Sequence, residues 1–555
     1  SDRLDKKSGG IIGYITNSGW LDKGTFDGLR KCFYSEFSTI YIFDLKGGVR
    51  AKSKESAKKE GGNVFDIMTG VAIVILVNNP KKSFKEHNIY YKNIGEYLSK
   101  KEKLEIIAET RSVLSSKFKC VKIYPNEQGD WLTKRSKNFI NYIPLIPNVK
   151  FNKSSESVFS LNSLGINTNR DAWSYSFSKN SLEINMSKCI DFYNNEVTNF
   201  FEAKKIDTKI KAEKFITISP ENISWSSSLI SNLNRCEKTK FNDTSILTAM
   251  YRPFVKTNLY FGDKFIHRRG QFDNIFNIDN MSKENIVICI SGINTRLDET
   301  SVFICNKVTD LNLLDSGTQC LPLYWYKEKV TKTNVMKNLF SDSVEDNSIE
   351  YTCNDGITDY ILKEVKEKYN ANAITKEDIF YYVYGLLHSE EYRKQFAADL
   401  KKMLPRLPLV ENAVDFKAFS EAGRKLSDLH LNYEKRPKPE QVIVERNADD
   451  YIVEKMKFKS KQDKSVIIYN NHITIKNIPL EAYDYVVNGR SAIEWIMERY
   501  QVKIDKASQI KNDPNDWAKE HNDPTYILDL LLSVITVSLE TMKIVKGLPK
   551  VEFDK

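Results

Sequence analysis

The sequence lacks the residue patterns that mark many common chemistries. Its eight cysteines are Cys32, Cys120, Cys189, Cys236, Cys289, Cys305, Cys320 and Cys353. None forms a C-x-x-C pair, so no zinc knuckle is readable, and a disulfide framework is not expected in so long a chain. Scattered reduced thiols fit a cytoplasmic protein. The six histidines, His87, His267, His388, His430, His472 and His521, show no ligand spacing. With 23 Gly and 15 Pro in 555 residues, a fibrous or linker-rich chain is excluded. There is no Walker A loop, no G-x-S-x-G elbow and no internal repeat. The first residues are polar and charged, unlike a signal peptide. The longest apolar stretch, 526–545, carries Asp529, Glu540 and Lys543, which argues for a buried helix and against a membrane span.

What remains is 41% hydrophobic and 28% charged residues, the signature of a globular chain. At roughly 100–200 residues per domain, about three to five domains are expected. The formal charge of +10, from 83 Lys+Arg against 73 Asp+Glu, is mild over this length. It fits a polyanion partner or a neutral compositional drift equally, so the location of the charge matters more than its sum.

Residues 9–15 (GGIIGYI) read as a buried strand, followed by a polar turn at Thr16-Asn17-Ser18-Gly19. Residues 26–33 read as a helix, with Phe26, Leu29, Arg30 and Phe33 at helical spacing. Residues 39–43 are a second strand, and the wholly apolar 71–77 a third that belongs in the centre of a sheet. Strand, helix, strand, loop, strand is the closing portion of an α/β sheet.

These segments resemble the later motifs of amino-group DNA methyltransferases of the adenine-N6 type, where they form the last three strands of the catalytic sheet. The run from Gly9 to Val77, with Lys59-Glu-Gly-Gly-Asn-Val-Phe65 and Asn126-Glu-Gln-Gly-Asp-Trp131, is similar to the methyltransferase of the single-polypeptide Type ISP restriction-modification enzymes. The family's F-x-G-x-G cofactor turn and N-P-P-Y-type catalytic tetrapeptide belong upstream of Gly9, and neither is present. Asn78-Asn79-Pro80-Lys81 lacks the second proline and the aromatic. The tetrapeptide holds the exocyclic amine of a flipped adenine, so without it no methylation is expected of this chain alone. The resemblance implies a fragment or one half of a split enzyme. S-adenosylmethionine serves the full enzyme, with ATP and Mg for domains further upstream, and no cofactor is expected to be retained in this chain.

From about residue 151 the resemblance continues into the Type ISP target-recognition region, through Gly165-Ile-Asn-Thr-Asn-Arg-Asp-Ala-Trp173, Tyr251-Arg-Pro-Phe254, Asn258-Leu-Tyr-Phe261 and Leu321-Pro-Leu-Tyr-Trp-Tyr326. Residues 256–270 (KTNLYFGDKFIHRRG) are the leading nucleic-acid candidate. Lys256, Lys264, Arg268 and Arg269 stand against one Asp263, interleaved with Tyr260, Phe261 and Phe265. Cations bind phosphates and guanine edges, and aromatics stack. The alternative is a strand pair with core aromatics and solvated cations. Arg170 and Arg252 complete the candidate list. Arg170 reads better as a structural group paired to the adjacent Asp171. Arg252, extended because Pro253 follows it, faces either DNA or a buried acid. The basic run 52–59 (KSKESAKK) is either a backbone-touching or a solvated loop.

Residues 374–405 read as two helices, opened by a Thr375/Asp378 cap and by Ser389, and 416–429 as a third. Beyond 435–440 the period changes to two. Residues 451–458, 465–469 and 472–476 form an expected meander, its last turn at Asn470-Asn471 using positive φ. Helices 492–500 and 526–545 close the chain. Glu364-Val365-Lys366 near Asp355 and Asp359 matches part of a D…E-x-K nuclease, and reads better as a solvated helix face.

The expected fold is multi-domain α/β and α+β. An incomplete Rossmann-like methyltransferase sheet (1–145) is followed by a mixed α/β target-recognition region (151–345), a helical subdomain (346–440) and a β-meander with helices (441–555). The expected function is sequence-specific recognition of double-stranded DNA within a Type ISP-like restriction-modification enzyme, directing adenine-N6 methylation. The alternatives are a split methyltransferase subunit completed by another chain, and a truncated interaction remnant. No membrane partner is expected.

Overall fold

The computed structural model describes residues 4–5, 7–48, 62–147, 156–276, 284–293, 300–315, 317–329, 350–460 and 462–553. The basic run 52–59 lies outside them. The architecture is mixed α/β with several sheets and a helical C-terminal part.

The first sheet has strands β1 (Gly10–Asn17), β2 (Thr39–Lys46), β3 (Val71–Asn78), β4 (Asn88–Asn93) and β5 (Val121–Ile123) in the order β1-β3-β2-β4-β5. The apolar β3 is indeed interior, antiparallel to β1 and to β2. Helix α1 (Asp27–Glu36) departs from its expected apolar stripe. Leu29 and Phe26 stay well exposed, while Arg30 is fully buried. Its guanidinium donates to the carbonyls of Gly129 (2.7 Å), Trp20 (2.7 Å) and Lys23 (2.8 Å), which offsets the cost of burying it.

Two four-stranded sheets follow. In one, the hairpin of Ile246–Arg252 and Val255–Tyr260 lies between Val308–Thr309 and Tyr175–Ser176. In the other, Val287–Ile290 lies between Val302–Cys305 and Gln319–Pro322, with Ser163–Leu164 outside the latter. The apolar cores join segments distant in sequence. One cluster unites Ile166, Leu259 and Phe303 with Ile473, Ile496 and Leu531. A second unites Phe139 and Ile288 with Tyr382 and Phe419.

Helix Lys376–Leu386 opens on the expected Thr375/Asp378 capping box, and Ser389 caps Glu390–Gln395. Helix Lys376–Leu386 packs closely on Ala413–Leu431 at Gly385 and Gly423, where an added Cβ would strike the backbone of the facing helix. The meander forms, shorter than expected, with Lys457–Phe458, Ile467–Ile468 and Ile473–Lys476, and gains Ile443–Arg446 at its edge. Its last turn does not use positive φ at Asn470 or Asn471. Instead the Asn470 side chain accepts from the amides of His472 (2.8 Å) and Ile473 (2.7 Å), a side-chain turn. Asp355 and Asp359 both pair with Lys376, and Val365 is buried, so the partial nuclease motif does not assemble. Among the described residues no helix is long and apolar enough to cross a membrane.

Candidate nucleic-acid interface

Three loops meet around Arg170. Its guanidinium is buried and donates to the Ser224 carbonyl (3.1 Å), the Phe265 carbonyl (2.5 Å) and the Ser226 hydroxyl (2.7 Å). The expected pairing with Asp171 is corrected. The Asp171 carboxylate is taken by the Thr168 and Tyr251 hydroxyls, and Arg170 has only neutral acceptors. Burial lowers its pKa to about 10, so it keeps its charge at neutral pH. Direct contact of Arg170 with DNA is likewise corrected, because its donors are engaged inside.

Above this node the loops present polar groups to solvent. Asn167 and Arg268 exchange backbone hydrogen bonds, each 2.9 Å, which ties the 167–170 loop to the 267–270 loop. Asn169 is exposed, in the left-handed region at φ 55°. The side chain of Arg268 is exposed, with no ion pair among the described residues. His267 Nδ1 lies 2.9 Å from the Ser228 hydroxyl. The His267 pKa is lowered, first by burial and then by the positive charges of Arg268 and Arg170. Arg268 is thus an exposed cation without an acidic partner among the described residues, and the buried Arg170 adds its positive charge close by.

The other candidates are engaged elsewhere. Arg252 is buried and donates to Asp310 (2.7 Å), which decides for the buried acid and against DNA. Desolvation raises the Asp310 pKa to about 6, although the Arg252 charge opposes the rise. Tyr260 is buried and stacked on Phe241 with ring centroids 5.4 Å apart, so it offers no face to a base. Lys256 pairs with Glu434 (2.6 Å) and Lys264 with Glu237 (2.6 Å). Arg269 lies 3.7 Å over the Phe261 ring and bonds both oxygens of Asp273, at 3.0 and 2.6 Å. The 256–270 segment thus realises the strand-pair alternative in its first half, with ion-paired rather than free cations.

Sequence reasoning missed Asn167, Asn169, Ser228 and His267. The available signal was the polar T-N-R turn and a histidine inside the basic run. Residues 226–228 gave none, because Ser226 meets Arg170 and Ser228 meets His267 only in the folded chain.

The family model of the Type ISP C-terminal specificity domain matches residues 157–530. The chain belongs to this family. Three solved structures are similar over essentially its whole length. A nuclease-deletion mutant of the Type ISP restriction-modification enzyme LlaGI, in complex with a DNA substrate mimic, is 38% identical with a TM-score of 0.83, covering 100% of this chain and 47% of that one. The ATP-dependent Type ISP enzyme LlaBIII bound to DNA is 38% identical with a TM-score of 0.85, covering 99% and 33%. The DrdV–DNA complex is 28% identical with a TM-score of 0.78, covering 99% and 51%. The chain therefore spans about half the length of these proteins or less. Among curated proteins none matches.

Proposed function

We propose that this chain is the target-recognition part of a Type ISP restriction-modification enzyme, reading a short sequence in double-stranded DNA and directing adenine-N6 methylation, and cleavage, by machinery beyond it. One observation carries the reading: the exposed Arg268 and the half-buried His267 have no acidic partner among the described residues, the charge of the buried Arg170 lies close by, and Asn169 beside them is exposed. Uncompensated cations favour phosphate, and Asn, Ser and Arg side chains are suited to base edges. The DNA-bound state of the three similar structures supports it.

A second observation concerns the methyltransferase half. The outer edge of β1 pairs with no strand among the described residues, and Ile11 and Ile15 there are 69% and 55% exposed. An open, apolar edge supports a sheet continued by further strands, in the same polypeptide or a separate subunit. S-adenosylmethionine belongs to such a completed sheet. The sequence has no F-x-G-x-G turn to cradle it.

The test is selection of bound duplexes from a randomised library, followed by anisotropy titration across salt concentrations. The expected result is enrichment of a short motif, with log affinity falling linearly in log salt. Arg268→Ala should weaken binding about three- to tenfold on every duplex and leave the melting temperature unchanged. Absence of enrichment together with salt-independent binding overturns the reading.

A further inference from the structure

Between the Ile246–Arg252/Val255–Tyr260 hairpin and the hairpin of Lys503–Ile504 and Lys511–Asn512 lies a cleft of about 310 Å³. That size is at the lower end of small-ligand cavities, roughly 300–1,000 Å³. Asp171 lines it and accepts from the Thr168 hydroxyl, which joins the cleft wall to the 167–170 loop.

Three features define what it would hold. The first is an unmet hydrogen bond. Thr257 lines the cleft at 1% exposure, and its hydroxyl has no partner. A buried hydroxyl without a partner is unfavourable, and a polar ligand atom would relieve it. The Gln501 amide NH₂ donates to the Glu498 carbonyl, and the Asn512 carbonyl accepts from the Phe177 amide. The remaining amide oxygen of Gln501 and amide NH₂ of Asn512 provide an acceptor and a donor for a ligand edge.

The second is charge balance. Arg499 and Lys503 face Asp171 and Asp505 around the cleft, and both cations already contact the Glu498 carboxylate, at 2.6 and 3.3 Å. A phosphate would meet two carboxylates and an ammonium two cations, so the site favours a neutral ligand. The third is a rigid aromatic wall. The Tyr251 ring is held by the Arg252 guanidinium at 3.9 Å, by its hydroxyl on Asp171 at 3.2 Å and by the Tyr175 ring at 4.6 Å.

A small, neutral, flat ligand with donors and acceptors on its edge is a nucleobase. We propose that this cleft binds a nucleobase, carried by DNA and swung out of the duplex or supplied by a free nucleoside. The first form rests on the DNA-reading role proposed above. An extruded base pairs its edge with protein groups and packs on aromatic or guanidinium side chains, and Tyr251 and Arg499 both line this cleft.

The full chain is titrated with selected duplexes carrying 2-aminopurine at one position at a time, and separately with adenosine, guanosine, cytidine and thymidine under saturation-transfer NMR. The expected result is a several-fold fluorescence rise at one or two positions, abolished by Thr257→Met, which fills the cleft. Thr257→Val keeps the side-chain shape and should weaken the nucleoside signal several-fold without lowering the melting temperature, which separates site loss from misfolding. Nucleoside transfer sensitive to Thr257→Val without any 2-aminopurine rise assigns the site to free nucleosides. Nucleoside transfer in a chain that binds no duplex removes the DNA-reading role and keeps the nucleobase site. No fluorescence rise and no transfer, or signals unchanged in both variants, overturns the proposal.

Discussion

The ammonium of Lys402 lies 3.0 Å from the Asp130 carboxylate, and both side chains are almost wholly buried. Asp130 also receives Arg135, at 2.8 and 3.2 Å, and Asn126, while Lys402 donates to the Thr133 carbonyl. One acid thus ties the turn that follows the first sheet to the helical region far along the chain. Next to it, the strand pair Ile143–Pro144 and Arg406–Leu407 makes a second tie.

Removing one partner of a buried pair strands the other. Lys402→Met should therefore destabilise the chain by about 3 kcal/mol, less than the full loss because Arg135 remains on Asp130. Urea unfolding followed by tryptophan fluorescence measures it. A midpoint unchanged from the parent chain would show the contact to be energetically silent.

DNA affinity should depend on His267. Its pKa is lowered in the free protein by burial and by the two neighbouring guanidinium charges. A phosphate placed there would neutralise those charges and raise the pKa, so binding takes up a proton. Affinity should strengthen as pH falls from about 8 to about 6, across the ordinary histidine range. His267→Gln should flatten that dependence, read by anisotropy at fixed salt.

Arg268 and Arg269 should behave differently although adjacent. Arg269 is tied to Asp273, Asp263 and the Phe261 ring, so Arg269→Glu should lower the melting temperature. Arg268→Glu should leave melting unchanged and weaken duplex binding at least tenfold at low salt. Thermal denaturation beside anisotropy titration separates the two.

Gly423→Ala should destabilise by about 3 kcal/mol, because a methyl group there would collide with the Tyr381 carbonyl oxygen on the facing helix. Differential scanning calorimetry reads the loss. An Ala variant of normal stability would mean that the two helices can separate without penalty.

The thiols should divide by burial. Cys289, Cys305 and Cys320 cluster on neighbouring strands, with Cys289 Sγ 3.8 and 3.9 Å from the other two. Burial pushes Cys289 and Cys305 well above the usual thiol range. Cys32 and Cys353 are exposed. A thiol reagent at neutral pH should label the exposed pair promptly and the cluster only after unfolding, as mass spectrometry of labelled peptides would show.

The strands of the first sheet were legible because a wholly apolar run such as 71–77 belongs inside a sheet, and β3 is paired along both edges, with Val71, Ala72, Val74 and Leu76 buried and the rest half-buried. The helical region was legible through its caps, since a Thr375/Asp378 box uses only residues three apart. The candidate interface was read less well. Its basic segment was located, but Lys256, Lys264 and Arg269 have acidic partners that local sequence does not disclose for Glu434 or Glu237.

By itself, then, the sequence determined many of the elements, the family resemblance and the basic stretch that holds Arg268. These follow from periodicity, capping and turn chemistry, all of which act within a few residues. Only the tertiary structure decided that Arg252 meets Asp310, that Arg170 is buried with neutral acceptors, and that Arg268 alone of the seven candidates has an exposed side chain without a partner among the described residues. The charge left on a surface depends on which acid each cation meets in space, and that pairing joins residues scores of positions apart.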